Sequence, residues 1–548
     1  MHQKTHIWSF FLTLITLVIM PALSFAQFPL VRISDPLSTD PEEVTIAIDP
    51  LNPSSLAAAA NIQYYYSSSD AGHTWAQGIL NSTLGVFGDP SMTFDAEGRL
   101  YFAHLGGFAR TPSWLDQMVV QRSDNGGLTW NNGGGTAIDS PRMQDKEWIV
   151  ADQTTSPYRN TLYMGWTQFD NYGSYAPMDS SRIMFASSTD QGATWSKPLR
   201  LDSHAGDCVD SDATVEGAQP AIGPNGEIYI SWAAHNAIHF TRSLDGGKSF
   251  DTERTIASMP GGWAFEVPGI YRCNGLPTTL CDVSHSHNRG SVYIIWADQR
   301  AGVNNTDIFL IKSTDGGMNW SNAKLLNTDT VRSGGASSVA QQFFPSMTID
   351  QTTGRLYGVF YDRREHIGDT TDVYLARSID GGKSFENFKV SSEVFIPQKR
   401  IFFGDYIHIA AQNGRVYPIW MRSDTTALSI WTALVTDTLQ SLVTPTQSLV
   451  TDLIVASSPT TAGSASLVLS LGESSNIDLS IYDVSGREVQ EVVRGTFASG
   501  EYHFGWNGKN GAGSAMPSGM YFCRLHARAE SNIATAPITL VRKVLLLR

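Results

Sequence analysis

Along most of the chain, hydrophobic residues come in short runs that alternate with polar ones and are broken every few positions by glycine, asparagine, aspartate or proline. Such a pattern predicts short strands joined by tight turns, and few stretches carry the helical period of about 3.6 residues. The runs also recur in order. A strand pattern, a turn and a second strand ending in an aromatic residue appear as SMTFDAEGRLYFAHL from Ser91, IVADQTTSPYRNTLYMGW from Ile149, PAIGPNGEIYISW from Pro220, DVSHSHNRGSVYIIW from Asp282, SMTIDQTTGRLYGVF from Ser346 and YIHIAAQNGRVYPIW from Tyr406. A divergent copy, VTIAIDPLNPSSLAAAA, starts at Val44 and makes seven hairpins. Tyr101, Tyr163, Tyr229, Tyr293, Tyr357 and Tyr417 mark the second strands at intervals of 60 to 66 residues, room for a four-stranded blade with its loops.

Between successive hairpins lies another repeat. SSDAGHTW from Ser68, SDNGGLTW from Ser123, STDQGATW from Ser188, SLDGGKSF from Ser243, STDGGMNW from Ser313 and SIDGGKSF from Ser378 are six copies of one eight-residue motif, with Asn125 in place of the aspartate in the second. The residues suit a tight turn: the carboxylate or carboxamide accepts backbone N–H bonds, glycine takes positive φ, and the closing aromatic packs between strands. The motif resembles the Asp-box, or bacterial neuraminidase repeat, of the sialidase superfamily. That resemblance implies a β-propeller with the boxes as structural turns away from the active face. Boxes run into short outer-strand patterns, Leu199 to Leu201, Arg254 to Ile256, Lys324 to Leu326 and Lys389 to Ser391, and Val31-Arg32-Ile33-Ser34 has the same pattern. The seventh unit has only Leu428 to Val435 after its hairpin and no box, so residues near 28 to 35 are expected to complete it. Closing the ring in this way hides the edges an open array would expose. The fold class is therefore all-β: a seven-bladed propeller, with six blades as the alternative, followed by a small Ig-like β-sandwich.

Composition changes this picture little: 42% hydrophobic, 11% aromatic and 16% charged residues over 548 positions describe a folded chain. A formal net charge of −14 without a basic stripe excludes nucleic acid as a partner. Residues 1–26 read as an export signal, with Lys4 at the start, apolar Ile7 to Met20, and Ser24-Phe25-Ala26 at the cleavage site. The apolar run is shorter than the roughly 20 residues of a spanning helix, and no integral membrane segment is expected after signal removal. The propeller is expected over 27–437, a Thr-, Ser-, Gln- and Pro-rich linker over 438–452, and a second domain over 453–548. In that domain IYDVSGREV from Ile481, SGEYHFGWNGKN from Ser499, MPSGMYFCRL from Met516 and the closing VRKVLLLR resemble the C-terminal sorting domain of the type IX secretion system. This implies the secretion machinery as a partner, and release from, or display on, the outer surface of a Gram-negative cell.

Export would place Cys208, Cys273, Cys281 and Cys523 where disulfides persist, and four cysteines permit three complete pairings. Cys273 and Cys281 bracket a short loop containing Asn274, Gly275 and Pro277, which costs little entropy to close, and are the expected pair. No CxxC spacing suggests zinc, and neither a metal nor a cofactor is expected.

In a propeller blade the inner strand leaves the rim to which the second strand returns, so residues before the first and after the second share one face. The boxes fall on the other. Residues leading into the inner strands are Glu42, Asp89, Asp145, Glu147, Glu216, Gln342 and Asp405; those following the second strands are His104, Asp170, His235, Asp298, Arg300, Asp362, Arg363, Arg364 and Arg422. Insertions add Trp114, Tyr172, Tyr175, Trp263 and Phe265, flat surfaces on which sugar rings stack. The set predicts a polar, aromatic-walled mouth for an anionic or neutral glycan. Asp298, Asp362 and Asp405 are the candidate acids, Arg300 and Arg364 the candidate substrate clamps, and Glu216, Trp114, Tyr172 and Trp263 further substrate contacts. Each charged residue has an alternative role as a local cap or an inter-blade ion pair. His104 and His235 lack metal spacing and read as rim residues, while Asp207, Asp210 and Asp212 read as solvated acids because no loop glycine fixes a calcium geometry.

In sialidases, as the resemblance implies, three arginines clamp the substrate carboxylate, a tyrosine paired with a glutamate is the nucleophile and an aspartate is the acid/base. This chain departs from that pattern. Arg32-Ile33 is followed by Ser34 rather than proline, Asn61-Ile62-Gln63 stands where an aspartate is expected before the first box, and the family's blade number is one fewer than the seven hairpins counted. The sequence favours a secreted or cell-surface propeller that binds extracellular glycan or a cell-surface glycoprotein. The alternative is an exo-acting glycoside hydrolase of the sialidase superfamily, cleaving extracellular polysaccharide or sialoglycan.

Overall fold

The computed structural model describes residues 28–107, 115–328, 340–366, 368–424, 427–437, 450–455, 465–471, 474–498, 500–529 and 538–547. The expected signal segment, Trp114 and most of the expected linker lie outside the described residues. Every regular element described is a β-strand, and no helix among the described residues is long and apolar enough to cross a membrane. The chain divides into two compact units, residues 1–438 and 439–548.

The first unit is a propeller whose seven inner strands are Thr45–Ile48, Ser91–Phe94, Met143–Ala151, Glu216–Ile222, Thr278–Cys281, Gln342–Asp350 and His408–Gln412. Each packs beside the inner strand of the next blade, and the first packs beside the seventh, so the ring is closed. Within a blade all pairings are antiparallel, and the tyrosines that mark the second strands are at most 3% exposed. The six-blade alternative is excluded by this count of sheets. As expected, the N-terminus supplies the outermost strand of the last blade: Leu30–Arg32 pairs with Leu428–Ala433 in the register Leu30↔Ala433, Val31↔Thr432, Arg32↔Trp431. The Ser34 hydroxyl then accepts the Ile430 N–H at 3.0 Å, extending the seam past the last strand pair.

All six boxes fold alike. In the first, the Ser68 hydroxyl accepts the Gly72 N–H (3.0 Å) and donates to Asp70 (2.8 Å), while Asp70 accepts the Thr74 N–H (2.9 Å) and hydroxyl (2.6 Å). Asn125 keeps this geometry, its Oδ1 accepting the Thr129 N–H and its Nδ2 donating to the Thr129 hydroxyl, both at 2.9 Å. The box glycine adopts φ of 80° to 91°, and it lies against the preceding blade. A Cβ on Gly317 would come within 2.5 Å of the Phe240 ring, and one on Gly247 within 2.8 Å of Phe185. Cations on third strands reinforce the same seam: Arg242 donates to the Gly316 carbonyl (2.6 Å) and Lys312 to the Gly381 carbonyl (3.1 Å). The seventh blade has no box, and Asp437 takes over the contact, facing Arg377 at 3.7 Å.

The second unit is a sandwich of a three-stranded sheet (Val450–Val455, Ala465–Leu471, Gly500–Trp506) and a four-stranded sheet in the order Glu488–Phe497, Ser475–Asp483, Gly519–Ala529, Ile538–Leu546. Leu467, Leu469, Ile477, Leu479, Ile481, Trp506 and Leu525 form its core. Alternation of buried and exposed positions along Ser475–Asp483 gives this unit a single apolar interior.

The expected Cys273–Cys281 disulfide is absent, and all four cysteines are free and buried. Cys273 lies on a small ribbon, Ala264–Phe265 paired with Cys273–Asn274, whereas Cys281 ends the inner strand of the fifth blade. Residues 275–277 join the two without regular structure of their own, and the two cysteines belong to different sheets.

Hydrogen bonds from the Thr74 hydroxyl and N–H hold Asp70 at a pKa of about 2, and those from the Asn319 N–H and amide hold Asp315 at about 2. A carboxyl depressed in the fold contributes stability above its ordinary pKa, and that contribution is lost as the pH falls through the depressed value. Thermal melting between pH 5 and 2 should therefore fall steeply below about pH 4, and Asp70→Asn combined with Asp315→Asn, copying Asn125, should flatten that fall. An unchanged acid slope would show that the boxes are not its source.

Candidate functional site

In six of the seven blades the chain turns into the inner strand through a left-handed residue: Glu43 (φ 54°), Asp89 (55°), Lys146 (42°), Gly217 (82°), Phe344 (48°) and Gly404 (76°). In the third, fourth and sixth blades this turn is a β-bulge, between Asp145 and Trp148, Glu216 and Gln219, and Phe343 and Ser346. A side chain at positive φ costs on the order of 1 to 3 kcal/mol, so four non-glycine residues on one rim are a concentrated strain. Bulges re-aim side chains. Here they surround a cavity of about 280 Å³ lined by Glu43, Asn61, Asp89, Asp145, Lys146, Tyr172, Asp210, Glu216, Trp263, Arg272, Asn274, Phe402 and Asp405 among others.

The rule of leading residues thus brings Asp89, Asp145, Glu216 and Asp405 to one pocket, with Tyr172 and Trp263 from the insertions. The residues following second strands go elsewhere. Asp298 is fully buried and accepts the Trp296 indole N–H (2.8 Å) and Arg300 Nε (2.9 Å), while the Arg300 guanidinium lies 3.9 Å over Phe309. Asp362 likewise accepts Arg364 Nε at 2.7 Å, and Arg364 lies 4.4 Å over Tyr374. Both pairs are local, two residues apart on one strand end, and none of the four lines the cavity. His104 is no rim residue: it is fully buried, with one ring nitrogen 2.8 Å from the Leu105 carbonyl and the other 3.2 Å from Gln121. Trp263 is 4% exposed and its indole N–H is taken by the Thr214 carbonyl, so it is a wall strut rather than an open stacking face.

Four pocket groups escape the rule. Glu43 takes the place expected for Glu42, Lys146 sits between two predicted acids, and Asp210 and Arg272 come from insertions without periodicity. Asp210 is not a solvated acid; it accepts from Arg272 and from the Tyr172 hydroxyl (2.8 Å), while Asp212 accepts the Ala264 N–H (2.8 Å) and Asp207 the Thr214 hydroxyl (2.6 Å). These acids order the loops that carry Trp263 and Arg272. Arg272 spans the pocket, with Nε 2.9 Å from Asp405 Oδ1 and Nη1 on Asp210, and Asn274 donates to the Asp405 carbonyl at 2.9 Å. Burial opposes the charge on Arg272, but Asp405 and Asp210 raise its pKa further above the ordinary arginine value.

The remaining acids share protons. Glu43 and Asp145 both hydrogen-bond to Asp89, whose own N–H donates to Asn61 Oδ1 (2.7 Å) and whose Oδ2 accepts the Lys146 N–H (3.1 Å). Burial pushes Glu43 and Asp145 well above the carboxylate range, and the charge of Asp89 adds to it. Burial also works against Asp89, yet Lys146 and hydrogen bonds from Glu43 and Asp145 hold it below the ordinary value. The trio is one carboxylate flanked by two carboxylic acids, the solution expected when like charges crowd one site. Across the pocket, burial raises Glu216, reinforced by Asp145 and Asp210, and its Oε2 accepts no hydrogen bond from the protein. The Lys146 ammonium turns from the acids onto the rings of Tyr406 (3.8 Å) and Trp148 (4.3 Å).

Among the described residues, metal-like proximity of ligand atoms occurs at Glu365, His366 and Asp372 in the sixth blade. Lys389 already lies 3.1 Å from Glu365 and 2.8 Å from Asp372, which makes the group an ion-pair network around its own cation.

Residues 456–531 match the family model of the FlgD Ig-like domain, within the second unit. No curated protein matches the sequence. Similar solved structures include a family PL25 ulvan lyase bound to a GlcA–Rha3S ligand, 13% identical with a TM-score of 0.44 over 75% of this chain and 96% of that one. The NanB sialidase of Streptococcus pneumoniae is 9% identical, with a TM-score of 0.40 over 70% of this chain and 83% of its own. The α-L-arabinanase of Penicillium chrysogenum complexed with arabinobiose is 13% identical, with a TM-score of 0.39 over 63% of this chain and 92% of its own.

Burial pushes Glu42, beside the pocket, up to about 8, with the charges of Asp40, Asp89 and Asp405 adding to it. A carboxyl raised in the fold keeps its proton where the unfolded chain has lost it. Stability therefore falls as the pH rises from about 4.5 to about 8, by up to about 1.4 kcal/mol per pH unit. Chemical denaturation at pH 5 and pH 8 should show the chain weaker at pH 8, and Glu42→Gln should remove part of the difference. Equal stability at the two pH values would contradict the raised value.

Proposed function

We propose that the propeller binds an extracellular glycan in the pocket at the leading ends of its inner strands. The observation that carries this reading is the convergence, in one cavity, of acids held in two protonation states with the rings of Tyr172 and Phe402. Neutral carboxyls donate and the carboxylate accepts, which matches the hydroxyl-rich edge of a sugar, and the rings offer flat apolar faces. A sialoside is a poor fit. Among the described residues one arginine lines the cavity, Arg272, which is committed to Asp210 and Asp405, and Arg300 and Arg364 are locked to their own aspartates. Binding gains over sialidase-type hydrolysis on the same ground, because no three-arginine clamp forms among the described residues.

Hydrolysis remains the second reading for one reason: Glu216 is a neutral acid facing a pocket whose Asp89 is ionised, the pairing of acid and base that glycoside cleavage uses. Binding on a glycan array, followed by product analysis of each retained glycan, separates the two. Recovery of intact glycan supports binding alone. Release of a shorter sugar, lost on Glu216→Gln while the variant still retains neutral glycan, would establish cleavage, since glutamine preserves the shape but has no proton to give. Absence of any retained glycan would overturn the proposal.

We further propose that the chain is exported, with the second unit as its sorting domain for the type IX machinery and the propeller delivered to the outer surface. The support is the set of motifs at Ile481, Ser499 and Met516 together with the signal pattern of residues 1–26. Removing residues 453–548 should leave folded propeller in the periplasm. Undiminished surface delivery of the truncated chain would refute the sorting role.

A further inference from the structure

We infer that the pocket selects a sugar carrying a protonated amine, a glucosamine-type unit, over N-acetylated sugars and over uronates or sialic acids. The inference rests on the glycan-binding reading and adds the charge of the ligand.

Six carboxyl groups line the cavity, from Glu43, Asp89, Asp145, Asp210, Glu216 and Asp405, against two cations, Lys146 and Arg272. Both cations are already engaged. Arg272 is divided between Asp210 and Asp405, and its guanidinium also lies 5.3 Å over Phe402. The Lys146 ammonium rests on Tyr406 and Trp148 and reaches the Glu147 carbonyl at 3.4 Å. Among the described residues, an incoming anion would meet two cations already held, Arg272 by acids and Lys146 by rings and a carbonyl, together with several carboxyls; an incoming ammonium would meet acceptors. Glu216 shows this most directly. It is 5% exposed, lines the cavity, and leaves Oε2 without a protein hydrogen bond, a cost that a donor from a ligand would remove. Glu147, fully buried just below, accepts no side-chain hydrogen bond either. Beside the pocket the protein already holds an ammonium of its own, the Lys146 head on the Tyr406 and Trp148 rings, the arrangement by which aromatic cages bind cationic ligands.

The amine should belong to a sugar rather than to a peptide lysine because flat surfaces continue outward from the pocket. Tyr172 is 37% exposed at the rim, and Tyr271, 60% exposed and edge-on to Phe402 at 6.1 Å, borders a neighbouring groove that shares Arg272 with the pocket. A chain of pyranose rings can use such a row of faces.

Protons report the event. Glu216 faces Asp145, Asp210 and Arg272, and Asp145 faces Asp89, Asp210 and Arg272, with Glu43, Lys146 and Asp405 around Asp89. Burial raises Glu43, Asp145 and Glu216 toward their protonated forms, and an ammonium placed among them favours the ionised ones, so binding should release protons and tighten as the pH rises. An anionic ligand would require proton uptake and the opposite slope.

The test is isothermal titration of the mature full-length chain with a glucosamine hexamer, an N-acetylglucosamine hexamer, an oligogalacturonate and pentalysine, in two buffers of different ionisation heat. Expected is binding of the glucosamine hexamer roughly tenfold or more tighter than of its acetylated counterpart, with net proton release. Glu216→Gln should erase most of that preference, lowering the ratio of the two affinities to within about twofold, and a cooperative melt of the variant shows that the fold is kept. Equal or tighter binding of the acetylated or uronate oligomer overturns the amine and leaves glycan binding intact. Tighter binding of pentalysine overturns the sugar, and failure of all three oligosaccharides to bind overturns the glycan reading itself.

Discussion

The box glycines sit at positive φ against the preceding blade, where a Cβ on Gly247 or Gly317 would collide with Phe185 or Phe240 and one at the other boxes would sit in close contact with its neighbours. This contact fixes how far each blade turns relative to the last, because the serine–aspartate network makes the turn rigid and the glycine sets its depth. Repeated around the ring, it leaves no freedom in where the inner strands point. The seventh blade, without a box, obeys the same constraint through Asp437 and through the N-terminal strand on Leu428–Ala433. Stability and site geometry therefore have one origin: the seams that hold the blades together also determine where the leading residues meet.

That convergence creates an electrostatic problem. Inner strands are closest at the axis, so an acid at the start of each is forced near its neighbours. The chain answers with the Asp89 trio, in which two acids keep their protons, and with Arg272 between Asp210 and Asp405. Left-handed backbone at Glu43, Asp89 and Lys146 adds conformational cost to the electrostatic one. Folding alone gains nothing from either. A rim that keeps both is organised around something it holds, and the ring stabilises it from the opposite face.

Much of this was legible in sequence because it repeats. Seven hairpins and six boxes give the ring, the missing seventh box gives the closing strand, and the polarity of a blade places Asp89, Asp145, Glu216 and Asp405 on one rim. What was misread does not repeat. Asp298–Arg300 and Asp362–Arg364 look like rim chemistry in a string of letters, but each aspartate ends its strand and the arginine two residues on, in the turn that follows, folds back onto it, so each pair satisfies itself before any ligand arrives. Arg272 and Asp210 lie in insertions with no period to read, 62 residues apart, and only the folded loops bring them together. Cys273 and Cys281 misled through the opposite error: proximity in sequence suggested a pair, but the two residues belong to different sheets, a small ribbon and an inner strand. A signal for Lys146 did exist, since a lysine between Asp145 and Glu147 interrupts a strand pattern and marks the bulge.

The box acids and the pocket acids Glu43, Asp145 and Glu216 are shifted in opposite directions for one geometric reason. On the box face the acids are splayed outward into solvent and surrounded by N–H and hydroxyl donors, so ionisation is favoured and Asp70 and Asp315 fall to about 2. On the pocket face the same residue types are drawn together with few donors, and ionisation of one opposes ionisation of the next. The third-blade bulge supplies one backbone donor, the Lys146 N–H on Asp89, while the Lys146 ammonium rests on its rings. The pocket is thus short of positive hydrogen-bond donors by construction, and a ligand that brings one completes the rim in a way the protein chain cannot.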